Sequence, residues 1–178
     1  MTGGDGMELL IFSDSHGKND GMQVAIDRQI GRIDAIAFLG DGLRDADRLW
    51  TGGATLFSVT GNCDWFADAS VNAELTVQFE GHRLLLTHGH LYGVKSGMGA
   101  LILRAVELDA DIVLFGHTHC PHNEVIPAGT VVGGKPLLRP MYLFNPGSIG
   151  SSDASFGTLS LQKDVVLLSH GTIKKGLF

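Results

Sequence analysis

The sequence predicts an α/β domain containing two β-sheets, on three observations. Short apolar runs recur, and each breaks abruptly into charged or glycine-rich residues; helical spacing fills the gap between the first two; after residue 72 the pattern changes to strand, turn, strand. The runs MELLIFS (7–13) and DAIAFLG (34–40) lack internal polar alternation, as expected of parallel strands buried on both faces. Between them Met22, Ala25, Ile26 and Ile30 recur at helical spacing, with Asn19 or Asp20 placed to cap. A short helix is expected in LRDADRLW (43–50) and a third strand in ATLFSVTG (54–61), which completes a βαβαβ unit. NAELTVQFEGHRLLLTHGH (72–90) reads as a hairpin about Glu80–Gly81. SGMGALILRAVELDA (96–110) reads as a helix, DIVLFG (111–116) as another buried strand, and the remainder as mostly antiparallel strands and turns.

No linker, repeat or low-complexity tract interrupts residues 1–178, so one domain is expected. Apolar residues make up 44% and charged residues 18%, the balance of a globular chain. The formal charge of −6 argues against the basic face that stable nucleic-acid binding requires. A small phosphorylated ligand held through metal ions remains compatible with it. Cys63 and Cys120 are too few for a disulfide framework. The opening MTGGDGMELLIF lacks a basic n-region, and no apolar run approaches the ~20 residues of a membrane helix. A cytoplasmic protein without membrane association is expected.

The chemistry stands at the strand ends. The successive strands terminate in Asp14-Ser15-His16, Gly40-Asp41, Gly61-Asn62, His88 with His90, and His117-Thr118-His119. Open α/β sheets bind ligands outside the carboxyl ends of their strands, so these residues would share one rim. A Gly-Asp pair alone is usually a turn with a helix cap, and an isolated loop histidine is usually solvated. That such residues close every one of these strands is not explained that way.

Carboxylate and imidazole donors suit Mn, Fe, Zn or Ni. Asp14, His16, Asp41, Asn62, His88, His117 and His119 are more ligands than one tetrahedral structural site takes. With Asp41 shared through its two oxygens they provide four for each of two ions, and two ions ~3.5–4 Å apart activate water against phosphate esters. The segment GHTHCPHN (116–123) could alternatively form a zinc knuckle from His117, His119, Cys120 and His122, but the chain offers no second half for one. Residues i and i+2 of an extended segment point the same way, which aims His117 and His119 together. His122 is then expected to be solvated and Cys120 packed beneath the loop.

With DSH (14–16), GD (40–41), GNCD (61–64), THGH (87–90), GHTH (116–119) and NPGS (145–148) in this order, the sequence resembles the calcineurin-like metallophosphoesterase superfamily. GNCD, THGHLYG and NPGS in so short a chain are similar to its small YfcE-like phosphodiesterase branch. The resemblance implies an α/β/β/α sandwich of two mixed sheets flanked by helices, with the metals at the strand ends. It implies one ion on Asp14, His16, Asp41 and His119, and another on Asp41, Asn62, His88 and His117, with Mn²⁺ as the family's choice and Fe, Ni or Zn as alternatives. His88 is the ligand of its motif, which leaves His90 behind the ligands or lining the pocket. A metal-bridging hydroxide would attack a small phosphodiester in line.

Asp41, Asn62, His90 and Cys63 are the candidate catalytic residues. Many members have a histidine acid where this chain has Cys63, and a thiol, with an ordinary pKa of ~8.5, is a poor acid that tends to be buried. The substitution implies a preference for leaving groups that depart without protonation, or an acid such as His90 nearby. Lys95 is placed either to contact a substrate phosphate or as a surface residue. The segment 125–147 is long for the family and could reshape the pocket mouth, mediate self-association or form a plain loop. A homo-oligomer fits the branch. The alternative function is a catalytically inactive scaffold for protein partners, like the retromer subunit of this fold, which departs from the pattern at the bridging aspartate and the asparagine; Asp41 and Asn62 are intact here. His-x-His also opens other dinuclear hydrolase patterns, but early in the chain.

Overall fold

The computed structural model describes residues 6–29, 32–68 and 70–174. Two five-stranded mixed sheets pack face to face. The first contains β1 (Met7–Phe12), β2 (Ala35–Phe38), β3 (Thr55–Ser58), β11 (Ser155–Gln162) and β12 (Val165–Thr172), in the order β12-β11-β1-β2-β3. β1, β2 and β3 are parallel, and β11 and β12 are antiparallel additions. The second contains β4 (Glu74–Phe79), β5 (His82–Thr87), β6 (Ile112–Leu114), β7 (His122–Ile126) and β10 (Met141–Asn145), in the order β4-β5-β6-β10-β7. Here β5, β6 and β10 are parallel and the edges β4 and β7 antiparallel. β8 (Val131–Val132) and β9 (Lys135–Pro136) form a separate two-stranded ribbon.

The period of two along each strand assigns its side chains to layers. Leu9 and Ile11 of β1 meet Leu84, Leu86, Ile112, Leu114 and Phe144 between the sheets. Leu10 and Phe12 point the other way, against Met22, Ala25 and Ile26 of α1 (Asp20–Asp27) and Leu43 and Ala46 of α2 (Leu43–Ala46). Leu85, Val113 and Leu143 face Leu101 and Ala105 of α3 (Gly99–Glu107) on the opposite side. This is the expected α/β/β/α sandwich, and it explains the unbroken apolar runs: both faces of these strands are covered. Leu114→Ala, at a position with 0% exposure between the sheets, is expected to cost about 2–5 kcal/mol. A urea titration would show it as a lower midpoint at unchanged slope.

The local expectations hold with shifted boundaries. Glu80 and Gly81 both have positive φ, 48° and 81°, as a two-residue turn matched to the twist of a hairpin requires. Asn19 occupies the α1 N-cap position but makes no side-chain cap bond; Ile30, expected on the apolar face of that helix, lies outside the described residues. β3 is only partly buried because it is an edge strand. β10 runs parallel to β6, an exception to the antiparallel pattern expected late in the chain. Among the described residues, no helix is long and apolar enough to cross a membrane.

The expectation for 125–147 is narrowed by topology. β7 leads away from the ends of β6 and β10 that carry His117 and Asn145, and β10 returns toward them. The β8–β9 excursion therefore sits at the opposite end of the sheet and does not shape the mouth of the site described next.

Candidate active site

The parallel strands of both sheets deliver their C-terminal loops to one edge, and the structure brings all seven candidate ligands together there. Asp14 Oδ1, His16 and His119 form one group whose ligand atoms lie within 4.8 Å of one another, and Asp41, His88 and His117 form a second. A third group of His16, Asp41 and Cys63 joins them. Asp41 stands between: its Oδ2 lies 3.3 Å from His88 Nε2 and 4.0 Å from His16 Nε2. Asn62 Oδ1 and His117 Nδ1 are each 3.2 Å from His88 Nε2.

The backbone is bent sharply to achieve this. Asp14, His16, Asp41, His117 and His119 all have φ between 47° and 68°, the left-handed region that L-residues rarely occupy outside turns. Such strain persists only where neighbours over-determine it, and the neighbours can be named. Asp64 accepts four backbone N–H groups: those of Asp41 and Gly61 on Oδ2, both at 2.8 Å, and those of Gly42 and Leu43 on Oδ1, at 2.8 and 3.0 Å. One carboxylate thus ties the loop after β2 to the loop after β3. Buried Asp45 accepts Ser15 Oγ at 2.5 Å and the Gly17 N–H at 2.7 Å. Asn145 donates to Gly116 O at 2.8 Å and Thr118 Oγ1 at 3.1 Å, which fixes the His117–His119 loop. Ser148 donates to Asp14 O at 2.8 Å.

Gly61 is required by close approach. A Cβ there would strike the Asp41 carboxylate. Sequence reasoning recognised the motifs containing Asp64, Asn145 and Ser148 but gave these residues no role; their partners are backbone groups of distant loops, which spacing does not reveal.

Electrostatics and tautomers fit a bound cation. His88, fully buried, donates from Nδ1 to Leu39 O at 2.8 Å, which leaves Nε2 as the nitrogen facing the cluster. Nε2 then meets Asp41 Oδ2, Asn62 Oδ1 and His117 Nδ1, so either a proton on Nε2 or a cation among these atoms supplies the positive charge they call for. Asp14 is also fully buried, yet its Oδ1 has no hydrogen-bond partner; His119 Nε2 lies 3.0 Å away without hydrogen-bond alignment. A buried carboxylate oxygen left unpaired is costly and marks a position for a metal ion. The donors are carboxylate, imidazole and amide, a set suited to borderline divalent ions.

Burial opposes ionisation of Asp41, but the His88 hydrogen bond and the Cys63 N–H at 2.7 Å outweigh it and hold its carboxyl well below the ordinary range. Burial disfavours the charged form of His88, while Asp41 and Asp14 more than compensate and raise its pKa. His117 is pushed down by burial and by the positive His88 and Lys95.

Two expectations, for Cys63 and Cys120, are corrected, and a third, for His122, is refined. Cys63, expected to be buried, is exposed at the rim, and partial desolvation followed by the Asp41 carboxylate raises its pKa, so it stays a thiol near neutral pH. Cys120 is exposed rather than packed beneath its loop. His122, expected to be solvated, is half-buried in β7, bonded to Glu124 at 3.0 Å and edge-on to Phe115. His90 opens a 3-10 turn (His90–Tyr92) next to His88 and His117, with ring centroids 5.4 and 6.2 Å away. Its Nδ1 is buried without a partner, and burial followed by the charge of His88 lowers its pKa. Lys95 is exposed and close enough to His117 to influence it electrostatically.

The turn carrying His90 is anchored by Tyr92, which donates to Glu74, and by the Glu74–Arg104 pair at 2.5 Å. Arg104 and Tyr92 hold the Glu74 carboxyl below its ordinary value. Its stabilisation is complete above the ordinary value of 4.5 and is lost as pH falls through the lower folded value. Glu74→Gln is therefore expected to reduce stability at neutral pH and to flatten the acid limb of a stability–pH curve measured by urea unfolding.

Comparisons with known proteins agree with this geometry. A family model described as the calcineurin-like phosphoesterase superfamily domain matches residues 7–164. A probable metallophosphoesterase of Bacillus subtilis, YsnB, is 32% identical over 162 residues, covering 89% of this chain and 86% of that protein. The phosphodiesterase YfcE of Escherichia coli K12 is 32% identical over 124 residues, covering 64% and 57%. Among solved structures, a predicted phosphoesterase from Streptococcus pneumoniae superposes with a TM-score of 0.73 at 26% identity, covering 97% and 95%. A zinc complex of Vps29 from Entamoeba histolytica has the same fold, with a TM-score of 0.61 at 24% identity, covering 93% and 99%.

Proposed function

The chain belongs to the calcineurin-like phosphoesterase superfamily, and from that premise we propose that it is a two-metal phosphodiesterase. The observation that carries the reading is the orphaned, fully buried Asp14 Oδ1 amid histidine nitrogens, beside a second convergence of Asp41, Asn62, His88 and His117. Asp14, His16, Asp41 and His119 would hold one ion and Asp41, Asn62, His88 and His117 the other, with Mn²⁺ as the ion we assign. Divalent ions held there would acidify a bound water and neutralise charge on the phosphate oxygens in an in-line displacement.

The chain's own residues do the rest. Asp41 stays ionised throughout the working pH range, and the Leu39 carbonyl keeps His88 in one tautomer. His16 and His119, with side chains 37% and 47% exposed, leave the cluster open on the side from which an ester would approach. Cys63 carries a proton at neutral pH but gives it up reluctantly, so the enzyme would favour good leaving groups. His90 is neutral near pH 7, and its proton affinity would rise beside an anionic ester.

A diester is favoured over a monoester by the shape of the rim. Two clefts adjoin the cluster and share Trp65 in their lining, one reaching His16, Asp41 and Cys63 and the other Asn62 and His90. Two ester substituents diverging from one phosphorus would each have a path outward.

The test compares a bis-aryl phosphodiester with an aryl phosphomonoester, in Mn²⁺ and after chelation. Metal-dependent hydrolysis with kcat/KM about tenfold higher for the diester is expected. A monoester preference would retain the hydrolase and remove the diester assignment. Metal binding alone does not separate the enzyme from a scaffold, because a site of this composition can hold ions without turning over an ester. Absence of a metal-dependent rate on either ester would make this chain a scaffold.

A further inference from the structure

We propose that the cleft reaching His16, Asp41 and Cys63 beside the candidate metal centre is a nucleobase site, in which Trp65 and Phe66 receive the base of a nucleoside phosphodiester. The proposal rests on the phosphate-binding reading above and names the substrate class for it. The cleft has a volume of about 380 Å³, the size of a small-molecule site and too small for a wrapped polymer. Its inner end is formed by His16, Asp41 and Cys63, and its outer wall by Trp65 and Phe66.

The two aromatic side chains are 82% and 81% exposed. Two large rings are thus left in water, side by side at the mouth of a polar site, with little packing against the described residues. Trp65 has no aromatic partner among the described residues, so its faces are free. The Arg44 guanidinium lies over the Phe66 ring, 5.1 Å from its centroid. That contact holds a planar cation at the wall, where it can stack on a base or bond to its edge.

The platform is fixed relative to the cluster. Trp65 directly follows Asp64, whose carboxylate is gripped by four backbone N–H groups including that of Asp41. Ala67 N–H returns to Asp64 O at 3.0 Å and closes the turn that presents both rings. Beside the two rings the lining is mainly polar, with Arg44 and the carboxylates of Asp47 and Asp68 among few aliphatic groups, which suits a flat ring with a hydrogen-bonding edge rather than an acyl chain.

Calorimetry on the Mn²⁺-loaded protein with adenosine 5′-monophosphate and with ribose 5-phosphate separates the two layers of the reading. The nucleotide is expected to bind roughly 5- to 150-fold more tightly than the sugar phosphate, the worth of one stacked base. In Trp65→Ala that ratio should fall toward one, and Trp65→Phe should restore much of it. Because Trp65 is almost fully exposed, neither variant is expected to disturb folding. Equal affinities in the wild-type protein would overturn the base site, leave the phosphate reading intact and assign the exposed rings to a protein partner. Failure of both ligands to bind would overturn the phosphate reading and the base site together. A ratio undiminished in Trp65→Ala would overturn the stacking role assigned to that residue.

Discussion

Asp41→Ala is expected to abolish metal-dependent phosphodiester hydrolysis, with a loss of about 10³-fold or more in kcat, because one side chain serves both halves of the cluster. The geometry that produces this expectation is specific. Asp41 Oδ2 faces His88 Nε2 at 3.3 Å and His16 Nε2 at 4.0 Å, while Oδ1 accepts the Cys63 N–H at 2.7 Å. Removing the carboxylate would take away the ligand proposed here to be shared and leave that N–H unsatisfied. Metal stoichiometry, measured by elemental analysis after dialysis, should fall from two ions toward one or none. Full stoichiometry with retained rate would sink the bridging assignment. Asp41→Asn keeps the shape and loses the charge, so a comparable loss of rate in that variant would identify charge rather than packing as the cause.

The second large effect is expected where no ligand is touched. Asp64→Ala removes the common acceptor of four backbone N–H groups. Hydrogen bonds to a charged group contribute about 1.5–3 kcal/mol each, and solvent entering the gap would recover part of the four, so a net loss of about 3–5 kcal/mol is expected. For a chain of 178 residues that corresponds to a Tm lower by about 6–20 °C. Asp64→Asn should be intermediate, because an amide turns a donor toward one pair of N–H groups that the carboxylate accepted. Weakened metal binding in the surviving folded fraction, read by calorimetry, separates a positioning role from simple loss of structure. Unchanged Tm in both variants would show that the loops after β2 and β3 are held by something else.

Much of this protein was readable before its structure, and for physical reasons. Continuous apolar runs located β1, β2 and β6 because those strands are covered on both faces. Asp14, Asp41, Asn62, His88, His117 and His119 were legible because parallel strands place their C-terminal ends on one rim, so position along each strand was enough. What stayed hidden depends on contacts between loops distant in sequence. Asp64 reads as the last letter of a motif, and nothing in spacing says that it gathers N–H groups from two loops. Cys63 and Cys120 were expected to be buried on the general behaviour of thiols, whereas the loops that carry them turn outward. The position of 125–147 follows from the direction of β7 and β10, a fact of pairing rather than composition. Trp65 and Phe66 look like core residues by type, and only their exposure reveals another use.

The left-handed backbone at Asp14, His16, Asp41, His117 and His119 has a consequence for how such a chain ages. Each of these side chains occupies a conformation that glycine adopts freely, at a cost of order 1 kcal/mol. At His16, His117 and His119, whose side chains satisfy no backbone group, replacement by glycine would relieve that cost while discarding a donor proposed here to hold a metal, so there mutational drift and folding stability pull in the same direction. On the proposed reading, selection for what bound metals would do opposes that pull. A lineage relieved of that selection would be expected to shed these histidines first while keeping its sheets, and to leave behind a sturdier fold with a vacant rim, free to be recruited for other purposes.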